Sequence, residues 1–583
     1  MNRKATAMSN FKYILCGVIL WFNSIKMHAQ SMQPNPGKVP LTITGQVGTS
    51  ANFYSSNESI DSRPNYSWSV NGNVLARVNK WTIPASFVIN QYSHSNAPAF
   101  IQAGLSPTYK WATIHMGYRY MTLSPFTFEG QNFKGLGLEL NPKHFRFSTF
   151  YGKINRAADQ DTNRTSFRLP QFSRKAYAIK AGYGTSSNYF DLIFFHAKDD
   201  STSANVITKP AFPRPQENAV ASAAFKITML KKIILSGDVA VSGLIDDQSS
   251  KRIIDTTHQN LKDFMKNFLG GDGTARTGLA TQGALSYYFK SYYTNLGYRR
   301  VQPNFRSLGT PYMLNDVELV SWNNNVSFLK GKLNISTNAS NQHNNVENNL
   351  ATELVTQVGN VNVNTILGQH FNLNVNASGY NLKQKDGNTN IADPFKIPDT
   401  FRLNQRITQF SFSPGYHVTA TDIIHYINST INLSKLTDKN ASTAAFSNSN
   451  NLSTSVNYTI AFIKKSISLS LNTLYNKYKQ QNNSYTSVGP TAGISAQLLK
   501  SKNLNLQGNV GVLFNNYNKT SKQKNLSYSV NSGYQAKHHA FSLYANYIHT
   551  ETNNAITNAI NKTFPYAVAT NNLSGGVSYN YTF

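Results

Sequence analysis

The sequence predicts an all-β fold: one closed antiparallel β-barrel of about 26 strands, within a range of roughly 24 to 28, that crosses a membrane. Three observations predict it. Tight turns, most of them carrying lysine, cut the chain into hairpins at twelve places. Apolar residues occupy every second position on both sides of those turns, and the last such strand ends the chain on an aromatic residue, Phe583. A chain of long two-faced strands with no helical half needs a closed sheet, because hydrocarbon cannot satisfy an unpaired sheet edge.

The N-terminus comes first. Arg3, Lys4 and Lys12 precede an apolar run from Tyr13 to Ile25 and then Met27-His28-Ala29, which reads as a secretory signal peptide, residues 1–29, cleaved before Gln30. Residues 30–40 read as a short periplasmic segment and 41–583 as the barrel. The single cysteine, Cys16, lies in the leader behind Leu15, which argues against a lipoprotein anchor. Later in the chain no apolar run reaches the ~18 residues a membrane helix needs. Charged residues at 14% and a mean hydropathy of −0.38 suit a wall that is apolar outside and polar inside.

The strands follow from the turns. The clearest hairpin is Phe462-Ile463-Lys464-Lys465-Ser466-Ile467, which sets Phe462 opposite Ile467, Ile460 opposite Leu469, Tyr458 opposite Leu471 and Val456 opposite Thr473. Asn457, Ser468, Ser470 and Asn472 fall on the other face. The other tight turns fall near Asn79-Lys80, Tyr109-Lys110, Pro142-Lys143, Ser186-Ser187, Lys231-Lys232, Lys290-Ser291, Lys330-Gly331, Gly368-Gln369-His370, Thr419, Ser501 and Lys537-His538. Longer connections, near 122–133, 158–173, 199–216, 244–276, 385–402 and 553–568, fall on the opposite rim. Short periplasmic turns with longer extracellular loops are the asymmetry of outer-membrane barrels. Trp81 and Trp111 beside short turns, with Trp68 and Trp322 toward the far ends of their strands, fit two interfacial girdles.

Several groups are candidates for function. The turn at Pro142-Lys143 registers Glu139 across from Arg146, and His115 and Arg119 point inward on the preceding strand, giving a charged inner wall. That cluster reads as a structural ladder or as a solute-contacting eyelet. In the longest connection, Thr256-Thr257-His258-Gln259 opens a short amphipathic helix, with Leu261, Phe264, Met265 and Phe268 on one face and Gly270-Gly271 as its stop. It reads as a lid inside the barrel or as packing among outer loops. The acids Asp246, Asp247, Asp255, Asp263 and Asp272 lack a calcium-loop spacing, so neither metal nor cofactor is expected. No nucleophile motif, zinc motif or phosphate-binding loop is present, which points away from an enzyme.

The net charge is +29, and loss of the leader's four cations leaves +25. Either turn lysines meet phospholipid headgroups and basic loops meet lipopolysaccharide, or the lumen is electropositive and favours anionic solutes. The loop cations Arg156, Arg164, Arg168, Arg174 and Lys175 fit the first reading. Nucleic acid is not an expected partner, since no recognition motif accompanies the charge.

The last strand alternates Leu573, Gly575, Val577, Tyr579, Tyr581 and Phe583. It resembles the C-terminal signal by which outer-membrane barrels are recognised by the barrel assembly machinery. The Asn-rich strands, the Ala29-Gln30 junction and the stretches Gly117 to Met121 and Gly135 to Pro142 together resemble outer-membrane barrels of Bacteroidota. The chain departs from TonB-dependent transporters, because only about ten residues separate Gln30 from the first strand and leave no plug domain. It also lacks the periplasmic domain and cysteines of the lipopolysaccharide-transport barrel. A barrel of this size would be about 50 Å across, so infolded loops or a separate plug protein must fill it. The expected function is a conduit for solutes or macromolecules. The alternative is a scaffold subunit that works with a lipoprotein or a second barrel.

Overall fold

The computed structural model describes residues 41–57, 64–90, 102–159, 170–204, 214–248, 269, 275–388, 402–481, 483–518, 521–554 and 567–583. Leader and lid helix, including Leu261, Phe264, Met265 and Phe268, lie outside the described residues.

Each strand pairs antiparallel with its sequence neighbours, and β1 (Leu41–Ser56) also pairs with β27 (Ala567–Thr582), so the sheet closes on itself. The closing register runs from Gln46 opposite Thr582 to Ser56 opposite Asn572. Phe583 extends it by a reciprocal backbone pair with Gly45, at 3.0 Å in each direction. Two short segments, β4 (Gln102–Leu105) and β5 (Thr108–Tyr109), share one place between β3 (Trp81–Asn90) and β6 (Ala112–Tyr120). The wall therefore has 26 staves. Pro84 and Pro107 face this interruption: neither can donate to a ladder, but both carbonyls still accept, from Ser106 N and Ile114 N at 2.9 Å each.

Eleven of the twelve short turns fall where lysine and alternation placed them, the turn expected near Thr419 lies two residues on at Thr421-Asp422, and the hairpin at Lys464-Lys465 has the expected register, Phe462 opposite Ile467 through Val456 opposite Thr473. Seven of these turns hold a lysine at positive φ: Lys110, Lys143, Lys231, Lys290, Lys330, Lys502 and Lys537, between 47° and 56°. Large apolar side chains stay exposed on the outer face, among them Leu136 at 62%, Leu192 at 56% and Leu471 at 52%. In a closed wall such a band belongs against lipid.

Three expectations need correction. Glu139 does not face Arg146: the observed register sets Glu139 opposite Ser148 and Leu140 opposite Phe147. Pro142 has no N–H to give, Phe145 N closes a turn onto its carbonyl at 3.0 Å, and Asn141 N bonds back to Trp111 O at 2.8 Å. Pairing across this turn therefore stops two residues earlier than a symmetric turn would allow. Trp322 sits in the middle of β15 (Val317–Phe328) and not toward its far end, its Nε1 donating to Thr294 Oγ1 on the neighbouring strand at 3.0 Å. Arg174 is no loop cation: it opens β9 (Ser173–Gly184) and chelates Asp199, Nε to Oδ1 at 2.7 Å and Nη2 to Oδ2 at 2.8 Å.

Candidate functional site

Alternation carries every second side chain into the lumen, and the register assigns those positions strand by strand. From β6 to β15 the lumen is occupied. The connection 121–131, after β6, and the connection 302–316, before β15, turn into the barrel from the long-loop rim. Phe126, Phe128 and Phe305 from these connections are fully buried with wall residues Phe133, Phe150 and Phe195. Phe128 lies 4.5 Å from Phe150 and 5.9 Å from Phe195, and Phe126 meets Phe305 edge-on at 5.8 Å. An inner wall that is polar throughout is thus not what this half shows, since the loops bring their own apolar partners.

Hydrogen bonds fasten the two connections to each other and to the wall. Ser307 Oγ donates to Thr127 O at 2.7 Å, Glu129 N to Gly309 O at 3.1 Å, and Gln131 Nε2 to Leu308 O at 3.0 Å. The wall's anchor is Asn218 on β11 (Glu217–Met229), with no exposed surface. Its Oδ1 accepts from Leu308 N at 2.9 Å, and its Nδ2 donates to Arg306 O at 3.0 Å and to Gly243 O at 2.8 Å. One amide thus satisfies the loop backbone in both senses, as a buried polar group requires.

The expected charged cluster lies below this plug, with different pairings. His115 Nδ1 bonds Ser106 Oγ at 2.9 Å, and its Nε2 lies 3.7 Å from Glu139. Arg146 instead forks onto the buried Asp191, Nε to Oδ1 at 2.8 Å and Nη2 to Oδ2 at 2.9 Å, and stacks 4.3 Å over Tyr189. Arg119 closes the gap in the interrupted stave, donating to Ser86 Oγ at 3.0 Å, to Pro84 O at 3.1 Å and to Gly104 O. Arg146 and the terminal nitrogens of Arg119 thus bond within the wall, while Arg119 Nε and His115 Nε2 make no hydrogen bond among the described residues. Asp246 and Asp247 are held by Arg276 at 2.6 Å and Arg214 at 3.6 Å. The described residues contain no grouping of metal-ligating side chains.

From β16 (Leu333–His343) through β27 and into β1 the wall changes character. Its inward positions are mainly Asn, Ser, Thr, Gln, Gly and Tyr. Among the described residues, no Lys, Arg or Glu takes an inward position on these strands, and the inward acids, Asp386 and Asp438, are the last residues of their strands at the long-loop rim. An electropositive lumen is therefore not what this arc presents. The lysines concentrate in turns and on outward positions instead.

The residues expected to form a C-terminal assembly signal lie at the end of the closing strand. Val577 is exposed on the outer face, Tyr579 packs on Phe541 at 4.8 Å, and Tyr581 lies 5.9 Å from Phe583. Fold and lumen define a class: a wide transmembrane barrel with self-supplied loops over one arc and a neutral polar wall over the other.

No family model matches the chain, and no curated protein does. Among solved structures it is similar to the P pilus usher (PapC) translocation pore, at 10% identity over 93% of this chain and 100% of that one, TM-score 0.38. It is also similar to the siderophore receptor PirA from Pseudomonas aeruginosa, at 9% identity over 93% and 80%, TM-score 0.36. OccAB2 of Acinetobacter baumannii matches at 10% identity over 68% and 97%, TM-score 0.30. At such distances the function has to be argued from this chain's own residues.

Proposed function

We propose that this protein is an outer-membrane conduit whose passage runs along the neutral arc, beside the infolded connections 121–131 and 302–316. The observation that carries the reading is the division of the lumen. A circular wall of 26 staves is about 50 Å across, and the loop plug is fastened to β6–β15. The arc from β16 to β1 lines the rest with groups that water and polar solutes can hydrogen-bond. A purely structural barrel has no use for a wettable arc of this extent. Short turns would face the periplasm and long connections the exterior, where basic loop residues such as Arg156 would meet lipopolysaccharide phosphates.

Purified protein in planar bilayers tests the reading. The intact barrel should conduct, and deletion of 303–315 should raise its single-channel conductance. If both remain silent and the protein co-purifies stoichiometrically with a lipoprotein or second barrel, the scaffold reading replaces this one.

A further inference from the structure

We infer that the neutral arc is a binding track for an uncharged, polyhydroxylated chain, that is, an oligosaccharide without ionised groups. The inference deepens the conduit reading and rests on it for its purpose. Its first support is electrostatic. The protein carries +29 overall, yet the inward positions from β16 to β1 avoid Lys, Arg and Glu, with Asp only at the rim. An ion pressed against this wall would lose hydration without gaining a counter-charge, whereas a hydroxyl loses little and finds amides that both donate and accept.

The second support is geometric. A groove of about 810 Å³ runs along the inner face of β21 (Ser449–Phe462) to β26 (His539–Asn554), lined by Ser468, Ser495, Gln507, Asn531, Ser542 and Tyr544 among others, with a single cation, Lys502, contributed by a short turn and not by a strand. Its size falls within the roughly 300–1,000 Å³ of small-ligand sites. Further toward the long-loop rim the same arc places Tyr478, Tyr485 and Tyr517 side by side on three successive strands, facing inward. Tyr485 and Tyr517 have ring centroids 4.7 Å apart, and Tyr485 is oriented by Asn515 Oδ1, which accepts its hydroxyl at 2.9 Å. A tyrosine ring offers an apolar surface for the C–H face of a sugar and a wet edge for its hydroxyls.

The third support is unspent hydrogen-bonding capacity. The Oδ1 atoms of Asn451, Asn476 and Asn525, all inward on this arc, are buried and accept no hydrogen bond within the protein. Acceptors of this kind are satisfied by water or by the hydroxyls of a ligand. Asn451 is the direct cross-strand partner of Tyr478 and Asn476 lies two residues along the same strand, so these acceptors flank the tyrosine mouth.

The test measures calorimetric binding to the full-length barrel in detergent micelles. The probes are maltohexaose and cellohexaose (neutral), hexagalacturonate (anionic) and a chitosan hexamer (cationic). At least one neutral hexasaccharide should bind about tenfold more tightly than either charged one, and Tyr485→Ala and Gln507→Leu should each weaken it about fivefold or more. Resistance of the folded band to SDS shows that each variant still forms the barrel. Tightest binding by hexagalacturonate would mean that overall charge governs, and the inference fails. Equal or absent binding of all four, or variants that bind as the parent does, overturns it as well. Because the measurement needs no current, a barrel that binds neutral sugars but never conducts sinks the conduit and keeps the track. One that conducts but shows no neutral preference does the reverse.

Discussion

Asn218 offers the sharpest test of how the plug is held. Replacing it with leucine keeps the volume but removes the acceptor for Leu308 N and the donor to Arg306 O, two backbone groups that lie within the barrel. Each hydrogen bond is worth about 1 kcal/mol net, and a buried group left unsatisfied costs about 1–3 kcal/mol. Two of its bonds hold the loop, and Arg306 O keeps Ser242 Oγ as a second donor, so the loss of docking free energy comes to about 2–4 kcal/mol, most of it at Leu308 N. At 1.4 kcal/mol per tenfold, the released state of 302–316 should gain roughly two orders of magnitude in population. The strand ladders do not depend on this amide, so the barrel should still resist SDS. Limited proteolysis from outside intact cells should cut the variant within 302–316 while sparing the parent, and the variant should dwell longer in a high-conductance state. If 302–316 stays protected and the current trace is unchanged, Asn218 is not the latch and the plug is held by its phenylalanines and its remaining hydrogen bonds, such as Ser242 Oγ to Arg306 O.

Arg146→Ala should destabilise the barrel by about 3–5 kcal/mol because it strands the buried Asp191, whereas Arg146→Met with Asp191→Leu should recover most of the loss; thermal unfolding in detergent checks both. Glu139→Gln should leave that stability nearly unchanged, since Glu139 does not pair with Arg146. Single cysteines replacing Lys143 or Lys464 should resist an impermeant thiol reagent in intact cells and react once the outer membrane is opened; labelling of whole cells would invert the topology. Lys143→Gly should stabilise the turn by up to about 1 kcal/mol, read as a shift in thermal midpoint, because lysine occupies a left-handed conformation there. Deleting Phe583 removes its two backbone bonds to Gly45 and should lower the amount of barrel in the membrane more than Phe583→Ala does, as measured by fractionation.

The wall was legible in the sequence because its rule is local. A lysine-bearing turn and period-two alternation fix the register around Lys464-Lys465 without reference to anything distant. Where a turn departs from symmetry the same reasoning slips: the missing N–H of Pro142 and the use of Asn141 by Trp111 shift Glu139 away from Arg146, and nothing in the local pattern announces Asp191 as the true partner. The plug was harder still. The stretch 302–316 has Pro303, Pro311, Asn304, Asn315 and Gly309 to break any strand, and, Phe305 aside, nothing in it marks an inward course. Its inward course depends on an amide 88 and 90 positions away in sequence. The one available signal was Phe126, Phe128 and Phe305, large apolar side chains in segments that could not be strands. The neutral arc was visible in principle, since the abundance of asparagine is plain, but it emerges only when each strand's register shows which face carries its charges.

The division of the lumen also has a mechanical side. Two connections rooted eight staves apart meet and tie one arc across the interior, so that arc is stiffened like a truss. The opposite arc has only its own hydrogen-bonded curvature to keep its shape. Lateral pressure from a bilayer would therefore bear first on the unbraced side, which is the softer part of the barrel's outline.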